Sequence, residues 1–181
     1  LEAIRDGVRL RVTHQGFSKS EAKSFTIAPY GLKVFKQRWY VLAQSEYPDG
    51  RLLVYSLDRF TEVERTDISY TIPSDFDINE HFRSFYGVSS LSNAQPEIVQ
   101  LRIDASQVKF FRTLPLHHSQ EEIETTDAYS VFQYYLVPTF ELTKEILSNG
   151  PYVEVLLPLS LREEIQSKAK KMVEMYGLNK Q

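Results

Sequence analysis

The run Arg38-Trp39-Tyr40-Val41-Leu42-Ala43-Gln44-Ser45 is strongly apolar at its centre and bounded by polar, turn-forming residues. A short run of aromatic and branched side chains between such boundaries reads as a β-strand. Side chains alternate across a strand, so Arg38 and Tyr40 share one face while Trp39 and Val41 share the other. The Trp39 face is expected to be core, with Trp39 anchoring the interior. Arg38 and Tyr40 then line a groove, where a guanidinium can fork onto a phosphate and a phenol can stack on a base. In the plainer alternative, Arg38 pairs with a nearby carboxylate and Tyr40 packs against the following domain.

Strand signals continue on both sides at the spacing of a small antiparallel barrel or sandwich. Val8-Arg9-Leu10-Arg11-Val12-Thr13 alternates apolar and polar residues. Residues 25–28 restart a strand, 31–37 read as strand and turn, and Tyr47-Pro48-Asp49-Gly50 reads as a hairpin turn into a strand at 52–57. Residues 60–65 extend the sheet, 73–87 form an irregular or helical exit, and the small, polar stretch 89–96 is the best linker. Beyond it the period changes. Strands are expected at 98–103, 116–125, 129–137 and 151–157, with helices at 106–112, 139–148 and 160–175. Asn149-Gly150 stops the second helix. The resulting β-α-β-β-α-β-α order describes a split βαβ sandwich with an added terminal helix. The reading is therefore α+β, with domains at 1–95 and 96–181.

Three blocks carry a family resemblance: Ala28-Pro29-Tyr30-Gly31-Leu32-Lys33, Arg38-Trp39-Tyr40-Val41-Leu42-Ala43, and Tyr55-Ser56-Leu57-Asp58-Arg59-Phe60. In order and spacing they resemble the signature blocks of the WYL domain. The later stretches Leu116-His117-His118-Ser119-Gln120, Glu141-Leu142 and Val153-Glu154-Val155-Leu156 resemble its C-terminal extension, WCX. The resemblance implies an Sm-like, SH3-type barrel, then a ferredoxin-like βαββαβ extension with a C-terminal helix. It also implies a bacterial regulator in which these parts follow a winged-helix DNA-binding domain absent from this chain, with Leu1-Glu2-Ala3-Ile4 as the end of the connecting helix. The implied ligand is a nucleotide or single-stranded nucleic acid. The name-giving triplet is here Trp39-Tyr40-Val41, and Leu53 and Ser56 stand where relatives often carry arginine.

On this reading Arg38, Tyr40, Arg59, His14, Tyr55 and Ser56 are the candidate ligand-binding residues, and Pro29, Tyr30, Trp39 and Asp58 belong to the structural signature. Adjacent strand residues face opposite ways, so Asp58 and Arg59 are not expected to pair with each other. Arg59 either binds ligand or stabilises the barrel. His14, at the end of the first strand, could hydrogen-bond a base or phosphate, or be an ordinary satisfied histidine. His117-His118 invites a metal reading, but neighbours on a strand do not converge on one ion. No metal or cofactor is expected. His117, His118, Ser119 and Gln120 are better used in hydrogen bonds within the extension or at a dimer contact.

Composition narrows the function classes. The 181 residues are 42% hydrophobic and 25% charged, as in ordinary globular protein. There is no cysteine, so disulfides, thiolate metal sites and a cysteine nucleophile are excluded. No apolar run approaches a membrane span, and a cytoplasmic protein is the default. The net charge is −3; residues 1–65 hold 11 Lys/Arg against 8 Asp/Glu, and residues 96–181 hold 9 against 12. Neither half has the basic footprint of a duplex-DNA binder, although the first is the better anion site. No nucleophile elbow, phosphate-cradling loop or His-Glu metal motif occurs, so catalysis is not expected. The expectation is a ligand-sensing effector module in a homodimer. The alternatives are a dimerisation or protein-interaction module without small ligand, and, more remotely, a nucleic-acid-processing enzyme using a glutamate and His117.

Overall fold

The computed structural model describes residues 1–17, 21–46, 50–89 and 94–177. Among these residues the chain is a mixed α+β protein of nine strands and five helices, with two antiparallel sheets. It divides into two compact units, Leu1–Arg83 and Ser84–Gln181. No helix among the described residues is long and apolar enough to cross a membrane.

The first unit opens with α1 (Glu2–Arg5), followed by β1 (Val8–His14), β2 (Lys23–Phe35), β3 (Arg38–Ser45), β4 (Leu52–Ser56) and β5 (Phe60–Ser69). Their order in the sheet is β4-β3-β2-β1-β5. A 3₁₀ turn, Leu57–Arg59, joins the two edge strands, and α2 (Ile78–Phe82) follows β5. Residues 25–28 and 31–35, read as separate strands, are one long β2. Its continuity depends on a bulge: Pro29 pairs with Ala43 and Gly31 with Leu42, leaving Tyr30 unmatched. A proline cannot donate to the ladder, and a bulge accommodates it. Gly31 leaves room there for α2, because a Cβ would meet the end of the Ile78 side chain and push it aside. Tyr30 packs on Phe76 (4.9 Å between ring centroids) and Tyr70 (6.1 Å), and the Tyr70 hydroxyl donates to the Pro29 carbonyl. Pro29 and Tyr30 thus tie the centre of the sheet to the segment after β5. The turn between β2 and β3 places Lys36 and Gln37 at φ 45° and 65°, the left-handed pair of a type I′ hairpin.

Two expectations fail in this unit. Trp39 is not an interior anchor: it is 54% exposed. It does share a face with buried Val41, as alternation requires. However, β1 faces β2 only between Lys23 and Ile27, and β4 faces β3 only from Tyr40 to Gln44. Trp39, opposite Val34 near the hairpin end, lies beyond the covered part of the sheet. The core consists instead of Val12, Ile27, Val41 and Ala43, with Leu10, Phe25, Leu32, Tyr55, Leu57 and Phe60 packed against them. Nor does the sheet close into a barrel, since no pairing links β4 to β5 among the described residues. The expected hairpin turn at 47–50 lies mostly outside the described residues, as does half of the linker at 89–96.

The second unit contains β6 (Glu97–Asp104), α3 (Ala105–Thr113), β7 (Glu121–Thr125), β8 (Tyr129–Leu136), α4 (Phe140–Ser148), β9 (Val153–Leu157) and α5 (Leu159–Met175). The sheet order is β7-β8-β6-β9, so β8 inserts between the two strands that α3 connects. Asp104 caps α3 by accepting from the Ser106 amide at 2.9 Å, and Thr139 caps α4 through the Leu142 amide at 3.2 Å. Alternation along β6 buries Val99, Leu101 and Ile103 against Phe111, Phe132, Tyr134, Leu142, Ile146 and Leu161. Residues 84–89 dock within this unit, where Val137 N donates to Ser84 O (2.8 Å) and the Thr139 hydroxyl to Tyr86 O (2.9 Å).

The strand expected over 116–125 is short, and His117 and His118 sit in the turn before β7. The Ser119 hydroxyl accepts from Tyr135 N at 2.9 Å and donates to Tyr135 O at 3.2 Å. That side chain supplies both partners a longer β7 would have offered, so pairing stops there.

Candidate ligand-binding site

Five of the six candidate ligand residues fall into two groups, and Arg59 stands apart from both. Arg38, Tyr40, Ser56 and Asp58 meet where β3 faces β4: Tyr40 stands opposite Ser56, and Arg38 Nη1 donates to Asp58 Oδ2 at 3.1 Å. The buried Ser56 hydroxyl donates to the other carboxylate oxygen of Asp58. That hydroxyl, and then Arg38, hold the Asp58 carboxyl below the usual carboxylate range. Asp58 thus braces the Leu57–Arg59 turn, and Arg38 is engaged by it, as the plainer alternative anticipated.

His14 and Tyr55 form the second group, with Phe25 and Phe60. Ring centroids lie 5.7 Å apart for His14 and Tyr55, 5.6 Å for His14 and Phe60, and 5.5 Å for Phe25 and Tyr55. Tyr55 and Phe60 flank the 3₁₀ turn at 6.0 Å, so a three-residue connection folds the edge strands into one aromatic cluster. Gln15 N donates to Arg59 O at 3.0 Å and fixes the turn to the end of β1. Arg59 lies with Asp58 in the 3₁₀ turn and not in a strand, so the alternation expected of the pair does not apply there. Its guanidinium carbon lies 3.9 Å from the ring centroid of Phe17, and its Nε is buried without a hydrogen-bond partner. Phe60 also lines an apolar cleft of about 270 Å³ with Leu10, Val12, Ile27, Val41 and Leu57.

Sequence reasoning missed Phe17, Phe25 and Phe60 as site residues. Phe60 carried a signal, as the last residue of the third family block; Phe25 and Phe17, outside the three blocks, carried none.

In the second unit, His117 Nδ1 lies 2.7 Å from the Ser119 hydroxyl. Gln120 accepts from Leu116 N (3.1 Å) and the Tyr134 hydroxyl (3.0 Å) and donates to Phe111 O (2.8 Å). These residues serve hydrogen bonding within the extension. Burial pushes the Tyr134 hydroxyl well above its ordinary value, so it is a donor at any physiological pH. Among the described residues no group of three or more His, Asp or Glu comes together as metal ligands.

Comparison with known proteins adds two family matches: the WYL domain over residues 1–65 and the WCX domain over residues 95–173. No curated protein sequence matches the chain. Among solved structures, proteasome accessory factor B/C (PafBC) of Arthrobacter aurescens is 20% identical; the match covers 91% of this chain and 24% of that one, with a TM-score of 0.41. A CRISPR Cas-related protein is 13% identical over 97% of this chain and 49% of that one, at a TM-score of 0.53. The chain therefore spans less than half the length of either, and the second likeness is one of fold.

Proposed function

The chain belongs to the WYL-domain family, carrying a WYL domain followed by a WCX domain, and on that premise we propose that it is the ligand-sensing region of a bacterial transcription regulator. The ligand is a nucleotide or single-stranded nucleic acid held by the first unit, at Arg59 and the ring cluster around His14 and Tyr55. Binding is relayed to a winged-helix DNA-binding domain within a cytoplasmic homodimer, and no catalysis is involved. The β4-β3-β2-β1-β5 order, in an open sheet, supports a relation of the first unit to the Sm-like fold. The β7-β8-β6-β9 order supports a ferredoxin-like relation for the second.

The observation that carries this reading is Arg59. A buried guanidinium nitrogen without a hydrogen-bond partner is costly, and an anion would satisfy it. Beside it, aromatic rings provide the surface on which bases stack. Titration with short single-stranded oligonucleotides and cyclic dinucleotides tests it by calorimetry at low salt. Binding weaker than about millimolar to all of them would refute the nucleotide reading.

A second reading, a protein-interaction module without small ligand, is favoured by the end of α5, where Met172, Val173, Met175 and Tyr176 are exposed. It predicts that Arg59→Ala leaves regulation intact while Met175→Glu with Tyr176→Glu disrupts assembly.

A further inference from the structure

Phe17 follows β1 in a polar stretch and is 78% exposed. One face of its ring is occupied by the Arg59 guanidinium at 3.9 Å. At that exposure the opposite face lies in solvent. Arg38 is neutralised by Asp58, whereas Arg59 has no ion pair or side-chain hydrogen bond among the described residues, and its Nε is buried. An aromatic ring therefore holds a flat, unpaired cation on one side and is open on the other. The Gln15 to Arg59 backbone bond keeps the two segments in place while both side chains lack polar partners.

We propose that Phe17 is the base-reading residue of this site: Arg59 takes a phosphate of a single-stranded nucleic acid, and a neighbouring base stacks on the open face of Phe17. The inference rests on the nucleotide reading of the first unit and adds a selectivity to it. A guanidinium alone attracts any phosphate. A ring against that guanidinium adds affinity only for ligands with a planar group beside the anion, and it does so for every base, because each has a π-face.

The test compares a short deoxythymidine oligonucleotide with an abasic strand of equal length, which has the same phosphates and no bases. Binding is read by fluorescence anisotropy on the full chain, with circular dichroism to confirm the fold. Phe17→Ala is expected to weaken the base-bearing strand on the order of 10-fold and leave the abasic strand unchanged. Phe17→Leu should behave like Phe17→Ala, since it keeps bulk without a π-face, and Phe17→Trp should retain binding. Arg59→Ala should weaken both strands. If Arg59→Ala weakens both but Phe17→Ala affects neither or both equally, the role of Phe17 is wrong and the nucleotide reading stands. If the unaltered protein binds neither strand, both are wrong.

Discussion

Glu122→Gln should destabilise the second unit by an amount that fades as the solution is acidified. In the folded chain Arg112 grips Glu122 with two hydrogen bonds, Nε to Oε2 at 2.8 Å and Nη2 to Oε1 at 2.6 Å, and the Thr125 hydroxyl adds a third at 2.8 Å. The Arg112 bonds are the main cause of the shift; partial burial opposes them, and the Ser130 and Thr125 hydroxyls assist, leaving the carboxyl at about 2 against an ordinary 4.5. That gap corresponds to roughly 3 kcal/mol at ~1.4 kcal/mol per pH unit. The side chain is 24% exposed on an edge strand, where water screens the pair, so about 1 to 2 kcal/mol is the expected contribution. Because the folded value is depressed, the stabilisation is fully present above 4.5 and is lost as pH falls through that value toward 2. Urea denaturation of both proteins at neutral pH and near pH 3 measures it: the difference in midpoint should shrink to less than half while the slope stays constant. An equal difference at both pH values would refute the assignment of the clasp to an ionised Glu122.

Trp39 is the single tryptophan, so its fluorescence reports one position; acrylamide should quench it readily in the folded protein, and a shielded signal would restore it to the interior. Phe132→Ala empties a fully buried position in the second unit and should cost about 3 to 5 kcal/mol by urea denaturation, whereas a loss under about 1 would show that core to be loosely packed. Asp58→Asn should loosen the Leu57–Arg59 turn and speed amide exchange at Gln15. In the unaltered protein the same loosening should set in only as pH falls through the lowered Asp58 value, and constant protection in both cases would deny Asp58 its bracing role. Gly31→Ala forces a methyl group into Ile78 of α2 and should cost about 1 to 3 kcal/mol, with Ile78→Ala recovering much of it.

The sequence by itself determined the period of most strands and helices, and hence their faces. It separated Trp39 and Val41 from Arg38 and Tyr40, and gave 98–103 the alternation of a strand. It marked the end of a helix at Asn149-Gly150 and assembled the α+β order, because these follow from backbone geometry acting over a few residues. Family blocks visible in the chain also pointed to the WYL and WCX domains that the comparisons match. Tertiary structure alone decided depth and partnership. Alternation gives Trp39 a face but not a cover, and the cover depends on where β1 and β4 stop. Asp58's choice of Arg38, and the meeting of His14, Phe25, Tyr55 and Phe60, join residues up to dozens of positions apart through strand register and a three-residue turn. No local pattern encodes such contacts, since each depends on the paths of several strands at once.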